Sequence, residues 1–101
     1  MEIRQGTTPT LFFYLPIPIS TLHDAYVTFE QRGVKTLEKA IADCECEGHT
    51  LAVHLTQEET LSFCLGCPLE VQLNGVDDAG ERVATDVFKF KVLRTLKKEV
   101  I

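Results

Sequence analysis

Hydrophobic and polar residues alternate in short runs along most of this chain. Within Asp24–Gln31, Ala25, Val27 and Phe29 alternate with Tyr26, Thr28 and Glu30. Leu51, Val53 and Leu55 alternate with Ala52 and His54, and Leu69, Val71 and Leu73 with Glu70, Gln72 and Asn74. A period of two puts one set on the buried face of a sheet and the other toward water. These three segments are therefore expected to be the core-forming strands.

Other runs depart from clean alternation. Thr10–Leu15 is almost continuously apolar and rich in aromatics, which predicts a strand buried on both faces. Pro16 and Pro18 remove two ladder donors and end it. Ile3–Gln5 opens an earlier strand, and Gly6-Thr7-Thr8-Pro9 reads as a turn or bulge. Arg32-Gly33 turns the chain into Val34–Ile41, where Lys35 and Lys39 read as charges that protect an edge strand. Cys44–Gly48 is expected to be a loop or strand end. Thr56-Gln57-Glu58-Glu59 is a capping-box sequence and predicts one helical turn over Thr56–Phe63, crossing between sheets.

Asp77-Asp78-Ala79-Gly80 has hairpin-turn composition. The last strand, Glu81–Leu93, is expected to bury Ala84, Phe88, Phe90 and Val92 and to expose Thr85, Val87, Lys89 and Lys91. Asp86 falls in phase with the buried set. Its carboxylate must be paired with Arg82 or Arg4, bulged outward, or placed at a subunit contact. Altogether the pattern predicts an all-β protein. It is an immunoglobulin-like antiparallel β-sandwich of about seven strands with one short helical turn, forming a single domain over 1–101. The tryptophan of antibody domains is missing.

Composition narrows the function. A chain of 101 residues holds one core. A net charge of −5 speaks against a nucleic-acid surface, which needs concentrated Lys and Arg. The basic residues Lys89, Lys91, Arg94, Lys97 and Lys98 are diluted by Glu99 and read as a solvated face and tail. The start of the chain has no basic segment followed by an apolar run, and the stretch Leu11–Ile19 is short and broken by prolines. The expectation is a protein made in a reducing cytoplasm without a membrane segment.

Four cysteines are the one feature that suggests metal or redox chemistry. They form two close pairs, Cys44-x-Cys46 and Cys64-x-x-Cys67. In a reducing compartment they are thiols or metal ligands rather than structural disulfides. Zinc takes four soft ligands near a tetrahedron, usually from two loops. Cys64 and Cys67 with Gly66 between them make a good half-site, while Cys44 and Cys46 make a poorer one, in which His49 can replace one member. A zinc-clipped binding domain built on Cys44, Cys46, Cys64 and Cys67 is thus the alternative to a protein with no cofactor. A thioredoxin-type redox pair would need Cys64 at a helix start, whereas it follows the helical turn. His23, His49 and His54 are expected to be exposed polar residues, and Glu58, Glu59, Asp77 and Asp78 lack the alternating ligand loop that calcium prefers. No catalytic residue is assigned.

Several segments resemble small prophage-encoded proteins of Firmicutes. They are Ile3-Arg4-Gln5-Gly6-Thr7-Thr8-Pro9-Thr10, Asp24–Gln31, Leu51–Leu61 and Phe88-Lys89-Phe90-Lys91-Val92. The opening is also similar to the N-terminal immunoglobulin-like domain of phage baseplate upper proteins. The resemblance implies a non-enzymatic structural or assembly role in a virion, in the tail or baseplate region. It implies partners that are other phage structural proteins or further copies of the chain. The protein would occupy the bacterial host cytoplasm during assembly and afterwards the particle. The cysteine pairs are not part of the resembling pattern. Exposed apolar residues such as Tyr26, Val87, Val100 and Ile101 would supply contact area.

Overall fold

The computed structural model describes residues 1–101 as nine strands, a single turn of α-helix and two short 3-10 turns. The strands are β1 (Glu2–Arg4), β2 (Thr10–Tyr14), β3 (His23–Gln31), β4 (Val34–Ala40), β5 (Glu45–Glu47), β6 (Thr50–His54), β7 (Leu69–Val76), β8 (Arg82–Ala84) and β9 (Phe88–Leu93). The helix, α1, is Gln57–Leu61. One sheet runs β1-β9-β7-β3-β4, with β8 also on β7; the other runs β2-β6-β5. The two faces enclose the core, so the expected all-β sandwich is present. The β2-β6-β5 and β9-β7-β3-β4 orders follow the immunoglobulin arrangement. The first strand has crossed to the larger sheet, where β1 lies parallel to β9. No helix is long and apolar enough to cross a membrane.

Strand count rises from about seven to nine for two physical reasons. Cys44–Gly48 does not stay a loop, because Glu45, Cys46 and Glu47 pair with Ala52, Leu51 and Thr50. The last strand breaks in two. Val71 faces Phe88 and Asn74 faces Ala84, so Gln72 and Leu73 lie opposite the three residues Thr85, Asp86 and Val87. That extra residue is a bulge, and it reverses the alternation. Phe90 and Val92 are buried after it, whereas before it Val83 points toward the core and Ala84 is exposed. Asp86 therefore sits outward in the bulge and pairs with neither Arg82 nor Arg4. Thr85 holds the distortion: its hydroxyl accepts from the Leu73 amide at 3.1 Å and donates to the Asp86 carbonyl at 3.0 Å.

Seventeen buried apolar side chains form one core. It contains every inward residue expected on β3, β6 and β7, including Val27, Phe29, Leu51, Val53, Leu69 and Val71 at no exposure. Each such side chain contributes roughly 1.5–3 kcal/mol by leaving water. Phe29 stacks on Phe63 with centroids 6.1 Å apart, and Phe13 meets Phe88 across the sheets at 5.7 Å. The capping box at α1 forms as expected: the Glu59 amide donates to the Thr56 hydroxyl and the Thr56 amide to the Glu59 carboxylate. Asp77 organises the β7–β8 turn by accepting from the amides of Ala79 and Glu81, with Gly80 left-handed at φ +79.

Two expectations about surface strands change. Lys39 is not a solvated edge charge. Its ammonium donates to the His54 carbonyl at 2.9 Å and pairs with Glu59 at 2.9 Å, with the two side chains only 16% and 22% exposed. It joins β4 to β6 and α1 across the end of the sandwich. Thr10–Tyr14 is not buried on both faces either. It is the end strand of the smaller sheet, and Phe12 and Tyr14 are 58% and 75% exposed.

Candidate functional site

The four cysteines are all free thiols, and β4 separates the two pairs. Cys44 follows the C-terminal end of β4 and donates from its Sγ to the Ala40 carbonyl at 3.5 Å. Cys67 lies beside the N-terminal end, where its Sγ accepts from the Arg32 Nε at 2.8 Å. The seven residues of β4, Val34–Ala40, span roughly 20 Å. Nowhere do three or more His, Cys, Asp or Glu side chains converge as a metal ligand set. Cys44, Cys46, Cys64 and Cys67 therefore do not meet at one end of the sandwich. Nor does His49 take the place of a cysteine in such a set; its Nδ1 lies 2.9 Å from the Leu15 carbonyl oxygen.

Each pair has its own environment. Burial pushes the Cys44 thiol above its ordinary value; nearby Cys46 and Asp43 push the same way and Lys39 opposes them. Burial raises Cys46 as well, although it is largely exposed on the edge strand β5. Cys64 is exposed and Cys67 buried. The turn between them is held by Gln31, whose side chain is 4% exposed at the end of β3. The Gln31 amide donates to the carbonyls of Cys64 and Cys67 at 2.8 and 3.2 Å and accepts from the Cys64 amide at 2.8 Å. Gly66 supplies the left-handed residue that the turn requires, at φ +81.

The three histidines are exposed, as expected, but two have side-chain partners that spacing alone did not reveal. His23 pairs with Asp78 at 2.5 Å on the surface. His54 lies between Thr10 and Glu45 on the outer face of the smaller sheet. Its Nδ1 is 2.7 Å from the Thr10 hydroxyl and its Nε2 is 3.4 Å from the Glu45 carboxylate. Hydroxyl, imidazole and carboxylate thus line up across β2, β6 and β5, the order of a nucleophile, a base and an orienting acid. The signal was available only once register was known, because Thr10 directly faces His54 in the β2–β6 ladder. No enclosing cleft accompanies it: the His54 and Glu45 side chains are 53% and 80% exposed. Water at the row screens its charges and would compete for every bond. The three side chains form a polar cross-strand ladder.

The outer face beside that ladder is different. Phe12 stands opposite Ala52 and Tyr14 opposite Thr50, giving an uncharged aromatic strip bordered by Glu45 and Glu47 on β5. The strip lies on a strand whose other side has no strand partner. Tyr26, Val87, Val100 and Ile101 are also exposed, as expected, but they are distributed over β3, the bulge and the C-terminal segment. Phe12 and Tyr14 are the pair that sequence patterning misplaced. An apolar run shows that a strand is hydrophobic, not whether a second layer covers its far face.

No protein-family model, curated protein or solved structure matches the chain.

Proposed function

We propose that this chain is a non-enzymatic protein–protein interaction module, serving as a structural or assembly component of a phage particle in its tail or baseplate region. The observation that carries the reading is β2: an uncharged edge strand with two highly exposed aromatics on a sandwich whose other edges are short or charged. Natural sheets blunt such edges unless they are used, and strand addition to an open edge is a common recognition mode. The likeness of the opening segment to baseplate-protein domains supplies the particle context.

The test is genetic and morphological. In a lysogen that encodes the chain, deleting it should yield induced particles with missing or defective tails in negative-stain micrographs. The wild-type gene should restore them, and Phe12→Lys should not. Normal infectious particles from the deletion strain would overturn the particle role.

A further inference from the structure

We propose that β2 is a self-pairing edge, so that two copies of the chain join their smaller sheets into one continuous six-stranded sheet about a two-fold axis. The proposal rests on the interaction-module reading and names the partner at its open edge. The strands that end the two sheet paths, together with β8, are guarded in different ways. β1 and β8 have three residues each, and β5 has three with Glu45 and Glu47 at its ends. β4 carries Lys35 and Glu38 and is bulged at Thr36, since Phe29 faces Leu37 and Glu30 faces Lys35. β2 has five residues, no charge and unbroken register with β6.

The hydrogen-bond phase of β2 defines what its open side offers. The Leu15 amide donates to the His49 carbonyl, and the Leu55 amide donates to the Pro9 carbonyl. Residues 9, 11, 13 and 15 therefore turn their polar groups toward β6. Thr10, Phe12 and Tyr14 turn theirs to the open side, where no backbone partner meets them. Pro16 falls in the same phase and has no N–H to offer, so the open ladder stops at Tyr14. The available window is three residues, symmetric about Phe12.

A second copy laid antiparallel on this window, with Phe12 facing Phe12, places each Thr10 opposite Tyr14 of the second copy. All three positions become hydrogen-bonded pairs, giving about six new N–H···O=C bonds. No shifted register satisfies all three. The facing side chains are aromatic on aromatic and hydroxyl on phenol, and pairs of this kind add to strand association. Charge also selects this edge over its neighbour. Self-pairing through β5, centred on Cys46, would set Glu45 against Glu47. Joining through β2 instead leaves the two acidic borders five strand spacings apart, roughly 24 Å. That is well beyond the Debye length of ~8 Å at physiological salt. The contact is isologous and closes, so it yields dimers and not fibres.

Sedimentation velocity and amide hydrogen exchange on the intact chain, from micromolar to millimolar concentration, test the proposal. The mass should rise from monomer to dimer, and the amides of Thr10, Phe12 and Tyr14 should become at least about tenfold better protected in the dimer. Phe12→Pro removes an open-side donor and the exposed ring but leaves the β6 ladder intact, so it should give a folded monomer. Phe12→Lys keeps the donor and adds like charge at the axis; it should also be monomeric, with an unchanged melting profile as the control for folding. A wild-type monomer at millimolar concentration, or a dimer that survives both substitutions, overturns self-pairing. If wild type is monomeric and Phe12→Lys still abolishes particle assembly, self-pairing fails while the module reading stands. If Phe12→Lys is monomeric but assembles normal particles, self-pairing holds and the reading of β2 as the assembly surface fails.

Discussion

Gln31 clamps the Cys64 turn at both of its amide groups, donating to the Cys64 carbonyl and accepting from the Cys64 N–H, each at 2.8 Å. One side chain thus replaces the ladder that the chain lacks between α1 and β7. Substituting Gln31→Leu leaves one N–H and two carbonyls without this partner, the Cys64 groups part-buried and the Cys67 carbonyl buried. We expect a loss of about 2–4 kcal/mol, read from urea unfolding. Gln31→Glu should be no better, because it presents acceptors to two carbonyls. A Gln31→Leu variant within about 0.5 kcal/mol of wild type would show that the turn holds itself.

Glu59 gives the molecule an acid-side dependence. Burial pushes its carboxyl upward, but the Thr56 amide and hydroxyl and the Lys39 ammonium outweigh that and hold it below its ordinary 4.5. A depressed carboxyl stabilises the fold above its unfolded value, and that stabilisation is lost as pH falls through the folded value. Partial exposure keeps the contribution to about 1 kcal/mol. The variant Glu59→Gln should therefore be less stable than wild type at neutral pH and should converge with it at acid pH, once the folded carboxyl is protonated. Urea midpoints at the two pH values check this; parallel curves would remove Glu59 as the cause.

Gly75 is needed for space and not for backbone freedom. A Cβ there would stand 2.9 Å from the Ala25 Cβ and 3.3 Å from its Cα. The close approach arises where β3 slips its register on β7 between His23 and Tyr26, with Asp24 at φ 47. We expect Gly75→Ala to cost about 1–3 kcal/mol. Adding Ala25→Gly should recover at least half of it, a coupling that a double-mutant cycle measures directly. Simple additivity of the two changes would place the strain elsewhere.

Thiol chemistry should rank the cysteines by environment. At neutral pH, pulse alkylation followed by peptide mapping should label exposed Cys64 first. Cys46 and Cys44 should follow, both raised by burial, and Cys67 should come last. In Gln31→Leu, Cys67 should gain at least about tenfold in rate as its turn opens. Equal labelling of Cys64 and Cys67 in the wild type would contradict the clamp.

Much of the fold is legible in the residue pattern. The inward sets of β3, β6 and β7 follow from alternation, and α1 follows from its capping box. What fails does so where pattern depends on register. A single added residue at Asp86 reverses the faces of Ala84 and Val83, and no local composition announces it. Phe12 and Tyr14 look like core because hydrophobicity is visible and coverage is not. The cysteine spacing suggested convergence, but Cys44 and Cys67 lie at opposite ends of an extended β4, a distance that only the topology sets. Gln31 escaped notice because its partners are backbone groups 33 residues or more away.

The parallel pairing of β1 with β9 also constrains the order of events at the ribosome. Ile3 faces Val92, a residue added 89 positions later. At roughly 5–20 residues per second, a nascent chain carries its first strand unpaired for about 5–20 s. During that interval β2 can already have met β6, so the smaller sheet is complete before the larger one can close. A newborn chain therefore displays β2 with its outer edge open before β9, the partner of its first strand, has been made.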